Sequence, residues 1–142
     1  MLYPIAIETG NSEQAFGVAV PDIQGCFSAG DSLDDAMANV KEAIEGHLEL
    51  LAEMKQLPPQ ATSLSKWVND DEFKGWAWAI IDIDIDPYMG KASKINVTLP
   101  NLLSKKIDSQ VKMHPNLYKS RSHFLQVAAA HELSHINSSV SC

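Results

Sequence analysis

The stretch Lys94-Ile-Asn-Val-Thr-Leu-Pro100 alternates without a break. In an extended chain Ile95, Val97 and Leu99 fall on one side, and Lys94, Asn96 and Thr98 on the other, because successive strand side chains face opposite ways. Pro100 closes the run, having no N–H to give to a ladder. Two amphipathic helical patterns follow, so the strand has no neighbour in its own segment and its edges stay unpaired. A second copy of the same strand, from a second chain, is the simplest partner. The product is a two-stranded antiparallel ribbon with Lys, Asn and Thr repeated along its outer face. A ribbon of that width fits the DNA major groove, and those side chains can bond base edges.

Charge divides the chain near the same place. Residues 1–89 hold 4 Lys, no Arg and 16 Asp or Glu, a net charge of -12. Residues 90–142 hold 6 Lys, 1 Arg and 2 acids, a net charge of +5. Two domains are therefore expected, 1–89 and 90–142, each with its own kind of partner. The basic part suits nucleic acid and the acidic part suits a basic protein. Two cysteines, Cys26 and Cys142, make no CxxC and no disulfide framework. No basic-then-apolar leader is present, and no apolar run reaches membrane-spanning length. The expectation is a soluble cytoplasmic protein with no membrane segment and no cofactor.

The N-terminal part reads as strand, strand, strand, helix, strand. Leu2 to Glu8 alternates, Thr9 to Ser12 is a turn cluster, and Phe16 to Val20 is a second strand closed by Pro21-Asp22. Gly25 to Ala29 is a third, short strand. Ser32, with Asp35 three residues on, opens a helix in the manner of a capping box. Leu33, Met37, Val40, Ile44, Leu48 and Leu51 recur at helical spacing, and the helix stops before Pro58-Pro59. Residues 57–66 form a connector, and Trp76 to Asp86 a fourth strand with Ala77, Ala79, Ile81, Ile83 and Ile85 on one face. Residues 86–93 read as a linker. After the ribbon strand come a helix from Asn101 to Met113, a break at His114-Pro-Asn116, and a last helix capped by Ser120. The fold class is α+β: an N-terminal antiparallel sheet packed on one main helix, then a strand and two helices.

The order from Lys94 onward resembles a ribbon-helix-helix DNA-binding domain. That resemblance implies a homodimer through the C-terminal strand, with a higher oligomer open. It implies base contacts from Lys94, Asn96 and Thr98, and a phosphate held at the start of the second helix by Ser120, Arg121 and Ser122. The free N–H groups and the dipole at a helix start favour an anion on physical grounds as well. The turn His114 to Lys119 is about two residues longer than the family's usual one. Tyr3-Pro-Ile, Phe16-Gly-Val-Ala-Val-Pro-Asp22, Gly25-Cys and Gly30-Asp-Ser-Leu-Asp-Asp-Ala36 in turn resemble the HicB antitoxin family. That resemblance implies a partial ribonuclease-H-like fold without nuclease activity. It also implies binding to a HicA-type toxin, a small basic protein that cleaves mRNA, and repression of the chain's own operon at operator DNA.

Two other patterns carry chemistry in other settings. His131-Glu-Leu-Ser-His135 is an HExxH string, which on a helix can hold zinc and supply a general base. The seven residues after His135 contain no His, Asp or Glu to complete a ligand set, so a surface helix end accounts for it better. Asp82, Asp84 and Asp86 repeat at strand spacing. A two-metal nuclease site needs carboxylates converging from several elements, whereas a straight row is the solvent face of a half-buried strand. These three aspartates are instead expected to face a basic toxin. No catalytic residue and no metal site is assigned. The alternative reading is a stand-alone ribbon-helix-helix repressor with a ligand- or protein-binding N-terminal domain; a metal-dependent hydrolase stands behind both.

Overall fold

Alternation across Leu2–Glu8 builds the strand on which the sheet is centred. The computed structural model describes residues 1–140. In it β1 (Leu2–Glu8) lies between β2 (Phe16–Ala19) and β4 (Ala77–Asp82), and β3 (Phe27–Gly30) lies outside β2. Every pairing is antiparallel. The strands put Tyr3, Ile5, Ile7 and Val18 on one face, and Val20 just after β2 joins them, all buried.

Helix α1 (Leu33–Glu53) covers that face. Ser32 caps it, its Oγ accepting from the Asp35 N–H at 3.1 Å, and Asp34 and Asp35 occupy the first turn. Ala36, Val40, Ile44 and Leu48 repeat every fourth residue and are fully buried. Burying each of the three larger ones contributes roughly 1.5–3 kcal/mol. The like-charged pairs Glu45–Glu49 and Glu49–Glu53 cost only a few tenths each, so the apolar stripe decides the helix. Gly30 lets the helix seat closely: a Cβ there would fall 2.3 Å from the Ala36 backbone nitrogen. After Met54 the chain turns through Lys55 in the left-handed region, φ 59°, before Pro58.

The other sheet face has its own cluster. Ala6 and Ala19 sit directly opposite one another and leave a shallow trough. Phe73 fills it, with Trp67, Trp76 and Trp78 edge-on at centroid distances of 6.4, 5.4 and 5.4 Å. The connector before this cluster is tightly held. Tyr3 Oη donates to the Pro59 carbonyl at 2.7 Å, which satisfies a buried hydroxyl. Its burial, with Asp22 nearby, holds the phenol well above its ordinary range.

β4 is shorter than the expected strand from Trp76 to Asp86. It ends at Asp82, although Ile83 is buried and Ile85 half-buried as the alternation requires. The reason is turn chemistry. Asp84 Oδ1 accepts from the Asp86 N–H at 3.1 Å, and Pro87 fixes φ in a 3₁₀ turn over Asp86–Tyr88. The expected row of three aspartates on one strand is thereby broken.

The chain divides into two compact units, Met1–Lys91 and a second from Ala92 onward. In the second unit α2 (Asn101–Met113) buries Ile107 and half-buries Val111. Helix α3 (Arg121–Val140) half-buries Phe124 and Leu125 near its start. Between the helices, the N–H groups of Leu117 and Tyr118 both donate to the His114 carbonyl at 3.0 Å, and the Tyr118 ring packs 4.7 Å from Phe124. The strand expected over Lys94–Pro100 is not formed in the single chain, where no ladder pairs with it. Among the described residues no helix is long and apolar enough to cross a membrane.

Candidate nucleic-acid interface

Lys94, Asn96 and Thr98 are all exposed, and pairing as a strand would set them on one side of an extended segment. Same-side residues two apart in such a segment lie roughly 7 Å from each other, about two base steps. The other side is greasy and equally uncovered: Ile95 is 80% exposed and Val97 58%. Leu102, Leu103, Met113 and Leu117 add exposed apolar surface in the same unit. One copy of so small a unit therefore leaves much of its apolar surface in water, which is the signature of an unfilled interface.

The start of α3 is built by its cap. Ser120 Oγ accepts from the His123 N–H at 3.1 Å, and the Ser120 carbonyl accepts the first helical bond from Phe124 at 3.0 Å. The Ser120 hydroxyl is thus engaged in holding the helix, while Ser122 is exposed. Arg121 is exposed too, yet its fork is engaged on one edge. Its Nε donates to Asp108 Oδ1 at 2.9 Å and its Nη2 to Oδ2 at 2.6 Å. The hydrogen bond from Arg121 holds the Asp108 carboxyl below the usual carboxylate range. Asp108 was not legible as a site residue. Its signal in the sequence is weak: one acid in the helix before a basic helix start.

The three aspartates meant for a basic partner are exposed but separate in role. Asp82 Oδ1 faces the Met1 ammonium at 3.3 Å. Asp84 caps the turn before Asp86, and shares its surroundings with α1. Burial raises the Tyr88 phenol, and the charges of Glu45, Glu49 and Asp84 raise it further. The acidic groups therefore converge from α1 and the turn after β4 rather than from one strand. His131 and His135 are exposed on α3. Among the described residues no group of three His, Cys, Asp or Glu side chains is placed to hold a metal ion.

Residues 3–129 match the model of the HicB-like antitoxins of bacterial toxin-antitoxin systems. A protein of Haemophilus phage HP1 (strain HP1c1), described as an uncharacterized 14.9 kDa protein in the rep-hol intergenic region, is 44% identical over 133 residues. The match spans 94% of this chain and 98% of the phage protein. The crystal structure of the Burkholderia pseudomallei antitoxin HicB is 35% identical, with a TM-score of 0.72 over 91% of this chain and 96% of that one. A chain of the HicA3 and HicB3 toxin-antitoxin complex is 31% identical, with a TM-score of 0.51 over 59% of this chain and 99% of that one.

Proposed function

The chain belongs to the HicB-like antitoxin family, and from that premise we propose that it neutralises a small basic HicA-type ribonuclease and represses its own operon. The observation that carries the reading is a coincidence of two steps. Net charge changes sign within two residues of where one compact unit gives way to the next.

The acidic unit takes the toxin. A protein that cuts RNA must attract phosphates, so its working surface is basic, and an acidic surface steers association and covers it. The complex of HicA3 with HicB3 supports a partner of this kind. In this reading the antitoxin carries out no chemistry; it works by occlusion. Asp82, Asp84 and Asp86 belong to the toxin-facing surface, joined by Glu45 and Glu49 of α1.

The basic unit takes operator DNA. Two copies pair their Lys94–Pro100 segments as an antiparallel ribbon, which buries the uncovered Ile95 and Val97 side chains. Lys94, Asn96 and Thr98 then face base edges in the major groove, with Asn96 suited to adenine. Ser122, Arg121 and the first N–H groups of α3 hold a phosphate. The symmetry of the dimer requires a palindromic operator.

The DNA arm is tested with the full chain on a duplex from upstream of its own coding sequence, against a random duplex, across a range of salt. The expected result is preference for the upstream duplex with affinity falling steeply as salt rises. Equal affinity for the two duplexes contradicts it. Rescue of growth when the small basic protein is co-produced separates an antitoxin from a stand-alone repressor.

A further inference from the structure

We propose that Asp108 is a positioning residue for DNA binding: it grips one edge of the Arg121 guanidinium so that the adjoining Nη1–Nη2 edge meets a backbone phosphate. The inference rests on the DNA-binding reading above and adds to it a residue on a different helix.

The geometry is specific. Asp108 takes Nε and one N–H of Nη2, at 2.9 and 2.6 Å, in a two-pronged contact. Arg carries five N–H donors in a rigid plane. Three therefore stay free, and two of them, one on Nη1 and the second on Nη2, run parallel on the edge that suits a phosphate's two oxygens. Arg121 is the first residue of α3, where backbone N–H groups have no helical acceptors. Arg121 and the start of α3 are the groups to which the DNA-binding reading assigns the phosphate.

Charge alone does not explain Asp108 in a DNA-binding unit. Residues 90–142 carry only two acids, and a carboxylate beside a phosphate seat opposes DNA binding by its charge alone. The contact crosses from α2 to α3, so it also fixes the start of α3 against its neighbour. A lysine in place of Arg121 keeps the charge and loses both prongs.

The test measures binding of the full chain to its upstream duplex for the unaltered protein, Asp108→Asn, Asp108→Glu, Arg121→Lys and the double variant Asp108→Asn/Arg121→Lys. Charge alone predicts that Asp108→Asn binds more tightly with a steeper salt dependence. The positioning role predicts the reverse: about tenfold weaker binding, and a log–log salt slope flatter by about one contact per protomer. Asp108→Glu retains a carboxylate acceptor and recovers binding to within about threefold. The double variant is no weaker than the worse single one, since both break the same unit. Circular dichroism of each variant separates lost positioning from lost fold, and the recovery by Asp108→Glu stands apart from both. Tighter or unchanged binding by Asp108→Asn, or additive losses, overturns the role of Asp108 alone. No preference of the unaltered chain for its upstream duplex overturns the DNA reading and this inference with it.

Discussion

Asp22 accepts two hydrogen bonds from Thr62, one from its backbone N–H at 2.8 Å and one from its hydroxyl at 2.7 Å. The Thr62 hydroxyl oxygen in turn accepts from Trp67 Nε1 at 2.8 Å. This relay fastens the connector after α1 to the loop after β2 and delivers the chain to the aromatic cluster. Asp22→Ala strands both Thr62 donors and should cost about 2 kcal/mol. Urea unfolding checks this, and a change below about 0.5 kcal/mol would show the connector to be held by packing alone.

Phe73 fills the trough over Ala6 and Ala19 and touches three tryptophans edge-on. Phe73→Ala should cost about 3–5 kcal/mol through lost burial and the cavity left behind. Tryptophan emission should shift to the red in the folded variant. An unchanged spectrum together with unchanged stability would mean that the cluster does not hold the sheet.

Burial pushes the Cys26 thiol up to about 11. A thiol whose folded value is raised stabilises the folded state below its unfolded value, near 8.5, and that contribution is lost as pH rises toward about 11. Stability should therefore fall across pH 9–11 by about 2 kcal/mol more in the native protein than in Cys26→Ala. Parallel alkaline profiles for the two would remove Cys26 as the cause. At neutral pH the buried thiol should also resist alkylation until the chain unfolds.

Asn96 faces solvent with no structural bond to lose. Asn96→Ala should therefore weaken specific operator binding by about 1–3 kcal/mol while leaving stability and toxin binding alone. Titration of operator and random duplexes reads the difference. Equal loss on both duplexes would make Asn96 a general contact rather than a base reader.

What the sequence carried most clearly was periodicity. Helix α1 is legible because Val40, Ile44 and Leu48 share one stripe and Ser32 is a strong cap. The N-terminal strands are legible because Tyr3, Ile5 and Ile7 alternate between turn clusters. The end of β4 is not legible, because Asp84 and Pro87 impose a turn that the isoleucine alternation hides. Pairings remote in sequence leave no local trace: Asp22 with Thr62 is 40 residues apart, and Asp108 with Arg121 is 13. The two alanines under Phe73 were a usable signal, since small residues in facing strands invite a bulky one above them. Lys94–Pro100 is the opposite case, where alternation is plain but the chain itself supplies no partner strand.

Neutralisation of the toxin can be read from RNA cleavage. Purified full chain is titrated into a fixed amount of a small basic HicA-type protein, with an RNA substrate present. RNA cleavage should fall in proportion to added chain and cease at a fixed ratio, and Asn96→Ala should inhibit equally well. Cleavage that continues unchanged with the chain in excess would contradict the account.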